Sequence, residues 1–135
     1  MKITPIQNYK FKVKPKMRYE TLGDYIKKGK GIEIQVYEGM SILERKAVAI
    51  HELVEQTLLE LKGITPAMVD RWDTEDTGGK YDPNMYNKNK FYKEADNIAL
   101  YVERKIIEWA GKEWTTYDED IMNMNIKYAK KTTTK

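Results

Sequence analysis

The chain contains no cysteine. That excludes disulfide scaffolds and every cysteine-based zinc site, fits a reducing compartment, and leaves any metal to His, Asp, Glu, backbone oxygen or water. Histidine is almost absent as well, with one copy at position 51. No apolar run is long enough to cross a bilayer, and Met1-Lys2-Ile3-Thr4-Pro5 lacks the apolar core of a secretion signal, so the expectation is a cytoplasmic protein with no membrane partner. Charge of one sign is also scarce: a net +3 over 135 residues makes no case for nucleic acid by itself. A content of 41% hydrophobic and 33% charged residues suits one compact domain with a modest core, expected over 1–130, with a flexible tail over 131–135.

What the chain does have is periodicity. Lys10-Phe11-Lys12-Val13-Lys14 alternates basic and apolar residues, as a half-exposed strand does, and Pro15 ends it. A polar stretch over 19–30 leads to Gly31-Ile32-Glu33-Ile34-Gln35-Val36-Tyr37-Glu38-Gly39, which alternates between bracketing glycines as a second strand. Ser41 with Glu44 makes a capping box, so a long helix starts there and runs to Gly63. Thr65-Pro66 reads as the start of a short helix with Met68, Val69 and Trp72 on its apolar face, and the Gly-, Asp- and Asn-rich segment over 73–89 as a loop. A second long helix follows, with Phe91, Ala95, Ile98, Ala99, Val102, Ile106 and Trp109 on one face and Gly111 at its end. Residues 118–130 form a last helix. The fold class is therefore α+β, a small N-terminal antiparallel β element packed against a bundle of two long and one or two short helices.

His51 heads His51-Glu52-Leu53-Val54-Glu55 in the middle of the first long helix. Residues four apart share a helix face, so His51 and Glu55 converge, while Glu52 is offset by about 100°. This is the layout of an H-E-x-x-H zinc helix with Glu in place of the second His. Around the axis, Leu43, Ala47, Ile50, Val54, Leu58 and Leu61 form one apolar arc and Val48 with Leu59 a second. Between the arcs runs a polar wedge of Glu44, His51, Glu55 and Lys62, where ionised groups are costly unless paired or bound to a cation. The competing reading of the wedge is a hydrogen-bonded structural pair.

The residues Ala49-Ile50-His51-Glu52-Leu53-Val54-Glu55, Lys62-Gly63-Ile64-Thr65, Val69-Asp70-Arg71-Trp72-Asp73, Phe91-Tyr92-Lys93-Glu94, Val102-Glu103-Arg104 and Trp114-Thr115-Thr116-Tyr117 resemble those of a small, uncharacterised family of bacteriophage and prophage proteins with a His-Glu-x-x-Glu helix. The strand-turn-helix order also resembles the smallest zincin-like metallopeptidase domains. The resemblance implies a metal-dependent, peptidase-like hydrolase in a host bacterial cytoplasm. Zn2+ would be the cofactor, His51, Glu55 and Glu94 its ligands, and Glu52 the catalytic base. Glu94 takes the third place because it matches the motif position; the family carries a further His just after that Glu, where this chain has Ala95 and then Asp96. Asp96, Glu103, Asp70 and Asp73 are the other candidates for the third ligand, and Tyr81, Tyr86 or Tyr92 for oxyanion stabilisation.

Two other classes compete with the hydrolase. One is a non-enzymatic phage accessory protein that binds a host protein, with the His-Glu pair structural and Trp72, Trp109, Trp114 or tyrosines as anchors. The other is nucleic-acid binding through Lys80, Tyr81, Tyr86, Lys88, Lys90, Tyr92 and Lys93, which is disfavoured because lysines and tyrosines interleave in many ordinary loops.

Overall fold

The computed structural model describes residues 8–19, 21–74 and 90–133, the last of these by backbone alone from residue 128. Its elements are β1 (Tyr9–Lys14), β2 (Gly23–Lys28), β3 (Gly31–Tyr37), α1 (Ile42–Leu61), α2 (Pro66–Thr74), α3 (Lys90–Trp109) and α4 (Trp114–Thr133). The architecture is α+β, with one sheet at the N-terminal end and helices packed on it.

The sheet has three strands in the order β1-β3-β2. It is mixed, where alternation alone pointed to an antiparallel element: β2 pairs antiparallel with β3, and β1 pairs parallel with it. β2 falls in the stretch read as polar. Its helix-facing positions are Gly23, Tyr25 and Lys27, and Ile26 points the other way, so hydrophobicity does not alternate in register with the pleat. The β2–β3 hairpin turns through Gly29, whose φ of 58° lies in the left-handed region that favours glycine.

The helix ends follow their local signals. The Ser41 side chain accepts from the Glu44 backbone N–H while the Ser41 N–H donates to the Glu44 carboxylate, which completes the capping box. Gly63, at φ 73°, closes α1: its own N–H donates to the Glu60 carbonyl, and the Ile64 N–H donates to the Leu59 carbonyl. Gly111 closes α3 through the same pattern, onto Glu108 and Ile107. The Thr65 hydroxyl caps α2 by accepting from the Met68 N–H. α4 starts at Trp114, earlier than expected, and its helix continues through Thr133 into the segment read as a tail.

α1 is the central element, with β2 and β3 on one side and α3 on the other. That double partnership is why Ala47, Val48, Ala49, Glu55, Gln56 and Leu59 are all buried, Glu55 of the polar wedge among them. The stripe that α3 buries is Tyr92, Ala95, Ala99, Glu103 and Ile107. It is rotated from the expected face, so that Ile98 is half exposed and Trp109 is 94% exposed. Ala47, Ala95 and Ala99 are buried between the elements, and their small side chains let α1 and α3 approach closely.

Candidate metal centre

The wedge of α1 meets the inward stripe of α3 at His51. Nδ1 of its ring lies 2.7 Å from Glu103 Oε1, and Nε2 lies 3.0 Å from Asp96 Oδ1 and 3.9 Å from Glu55 Oε1. Carboxylate oxygens accept, so the ring donates from both nitrogens, as an imidazolium. Burial works to lower the His51 pKa, and the hydrogen bonds to Asp96 and Glu103 outweigh it, leaving the pKa well above its ordinary value. Glu103 is itself buried and accepts from the Tyr117 hydroxyl at 2.6 Å. Tyr117, Glu103 and His51 thus form a relay from α4 through α3 to α1 that fixes the ring's orientation.

The carboxylates beside the ring carry a large burial penalty. Burial pushes Glu52 up to about 8, with Asp24, Asp96 and Glu103 adding to the rise and His51 opposing it. Glu55 is raised well above the usual carboxylate range, first by burial and then by the charge of Glu52. The phenol of Tyr25, only 5% exposed, reaches the Glu55 carboxylate, yet its hydroxyl makes no hydrogen bond of good geometry. A buried hydroxyl and several buried carboxyl groups around one imidazole form a site with spare donor capacity.

One ligand atom from each of His51, Glu55 and Asp96 lies within 4.8 Å of the others, a spacing that suits a single cation. The donors fit such an ion in kind as well, with one imidazole nitrogen and two carboxylates. The outer ring nitrogen on a carboxylate is the support that metal-ligating histidines use. Glu52 lies beside this cluster on the wall of a cleft of about 230 Å3, which His51 and Glu103 also line, with Val48, Leu100 and Met122 as apolar walls.

β2 closes that cleft on one side. A Cβ on Gly23 would lie 2.5 Å from Val48 Cγ1 and 2.8 Å from Glu52 Oε1, so the strand approaches α1 more closely than a side chain allows. Gly23→Ala is expected to lower stability by about 1–3 kcal/mol through this overpacking. Urea unfolding checks it, and an unchanged midpoint contradicts the close approach.

The structure brings together His51, Glu52 and Glu55, as the helix spacing required, and adds Asp96 and Glu103. Glu94 is exposed on α3 and takes no part in the cluster. It is two residues from Asp96, about 200° around the helix, so both cannot face α1. Asp96 and Glu103 are seven apart, on one face, and that spacing is the sequence signal that pairs them. Asp70 instead accepts from Arg18, which also binds Asp24 and so ties α2 to β2. The side chain of Asp73, and Tyr81, Tyr86, Lys80 and Lys88, lie outside the described residues. Tyr92 is buried with its ring against Trp72, and its charge is among those that raise the Tyr25 pKa. Tyr25 carried no functional signal in the sequence, and Tyr117 entered only within the matching segment Trp114-Thr115-Thr116-Tyr117, with no role assigned to it.

No protein-family model, curated protein or solved structure matches this chain. The comparisons therefore lend no support to the resemblance drawn from motifs to a phage family or to that drawn from element order to minimal zinc peptidases. No helix among the described residues is long and apolar enough to cross a membrane.

Proposed function

We propose that the protein is a metal-dependent hydrolase in which His51, Glu55 and Asp96 hold a divalent cation and Glu52 is the catalytic base. The observation that carries this reading is the convergence of three donor groups from two helices within 4.8 Å, at the ring nitrogen opposite the one that Glu103 holds. A divalent cation in such a place supplies Lewis acidity, polarising an amide carbonyl and acidifying water. Glu52 takes the proton of the attacking water as oxygen bonds to the carbonyl carbon, and returns it to the leaving nitrogen as the C–N bond breaks. Without a cation Glu52 is mostly protonated at neutral pH, and a neighbouring positive charge brings it down into the range of a base. Glu103 and Tyr117 hold the ring in place. Zinc suits the donor set, and a site with one imidazole and two carboxylates also suits manganese.

A second reading rests on a specific observation: both nitrogens of His51 already have carboxylate partners. An imidazolium so placed joins α1 to α3 electrostatically in a protein that binds partners and catalyses nothing. Metal content by mass spectrometry, on protein purified without tag or chelator and then incubated with zinc, separates the two. The hydrolase reading expects near-stoichiometric metal, lost in Asp96→Asn and Glu55→Gln and kept in Glu94→Gln. Absence of metal after incubation with zinc overturns it and leaves the structural cluster.

A further inference from the structure

We propose that the free edge of β1 is a docking strand for an extended partner segment that alternates apolar and acidic residues. β1 lies at one end of the sheet and pairs only with β3 among the described residues. The metal centre is at the other side, where β2 meets Glu52, so the two regions are separate.

The parallel register aligns Tyr9, Phe11 and Val13 with Ile32, Ile34 and Val36, which puts all of them on the helix-facing side of the sheet. α1 packs on β3 and β2 and leaves β1 overhanging. Phe11 is consequently 59% exposed and Val13 45% exposed, although both point to the layer where a core would form. The overhang makes a groove of about 400 Å3, floored by Ile34 and Val36 and walled by Ala49, Ile50 and Ile42, the last of which is 70% exposed. An added strand would extend the hydrogen-bonded ladder and set alternate side chains into this groove.

Charge selects the occupant. Arg45 and Lys46 border the groove, no acidic residue lines it, and neither cation has an ion pair among the described residues. The other face of β1 carries Lys10, Lys12 and Lys14 in alternation. A second copy pairing edge to edge would set one lysine row against another, and like charges opposite each other on a sheet repel. A segment with acidic residues at every second position meets the lysines instead, and its intervening apolar residues cover Phe11 and Val13.

Fluorescence anisotropy on the full chain tests this with two labelled peptides, Glu-Val-Glu-Ile-Glu-Val-Glu and its counterpart with lysine in place of each glutamate. The expected result is that the acidic peptide binds and weakens with added salt, while the basic one does not bind. Phe11→Asp is expected to weaken binding by about tenfold or more, and the triple change Lys10→Glu, Lys12→Glu and Lys14→Glu to reverse the preference between the peptides. Positions 10, 11 and 12 are exposed and position 14 is half-buried, so far-ultraviolet circular dichroism of the variants is expected to match the parent. Equal binding of both peptides, binding of neither, or full affinity in Phe11→Asp overturns the proposal. Binding to phosphatidylserine vesicles without peptide binding also overturns it and makes the groove a lipid surface.

Discussion

His51→Ala in the metal-free protein is expected to cost about 3–5 kcal/mol at neutral pH, as removal of one partner from a buried charge cluster does. Among the described residues His51 is the only cationic side chain that hydrogen-bonds Glu103 and Asp96, and its charge also opposes the raised pKa values of Glu52 and Glu55. Without it, these carboxylates face one another in a site that water reaches poorly, and the folded state answers by binding protons. The loss should grow on acidification: the raised folded pKa of the ring makes its contribution full below about 6.5 and smaller as pH climbs through the folded value, so the variant forfeits more at pH 5 than at pH 7.5. Urea unfolding of parent and variant at pH 5 and pH 7.5 measures both parts. A loss below about 1 kcal/mol at neutral pH, or an equal loss at both pH values, contradicts the assignment of His51 as the balancing charge. A histidine acting only in catalysis would give inactivation with unchanged stability.

The parent protein, stripped of metal, is expected to lose stability as pH rises from 5.5 to 8, by an amount on the order of 2–4 kcal/mol. Glu52 has a folded pKa of about 8 against an ordinary value of 4.5. Between those values the folded state binds the extra proton, so its contribution is full below about 4.5 and disappears as pH rises through 8. The folded pKa of His51 is also raised, so its contribution is present below about 6.5 and is lost as pH climbs through the folded value, in the same direction. A cation competes with these protons for the same groups, so stabilisation by added zinc is expected to grow over the same interval in which the metal-free protein weakens. Thermal unfolding at several pH values, with EDTA and with zinc, shows the two curves diverging. A metal-free stability that rises with pH across this window would contradict the buried, protonated cluster.

Local chemistry wrote the helix boundaries into the sequence. The Ser41–Glu44 capping box, Thr65-Pro66, Gly63 and Gly111 each act through neighbours a few residues away, and each does so in the structure. β3 was legible because its apolar residues alternate with the pleat, whereas β2 was hidden by Gly23 and Lys27 on its inner side. The parallel pairing of β1 with β3 involves partners far apart in the chain, and no local pattern encodes it. The site divides in the same way. His51 and Glu55 share a helix face by spacing alone, but choosing Asp96 over Glu94 requires the rotation of α3 against α1. That rotation was obscured because Glu103 occupies the middle of the buried stripe, where a hydrophobic pattern expects an apolar residue.

The alanines between α1 and α3 act as a gauge for everything mounted on the two helices. Ala47 and Ala99 are fully buried and Ala95 nearly so. Ala99 lies one turn from both Asp96 and Glu103 on the same helix, so a single added methylene there parts the helices and withdraws both carboxylates from His51 at once. The spacing of His51, Asp96 and Glu103 is thus adjustable through volume alone, with no ionisable residue exchanged. Under the proposed metal-binding reading, substitutions at positions 47, 95 and 99 would change the site alongside those at 51, 55 and 96.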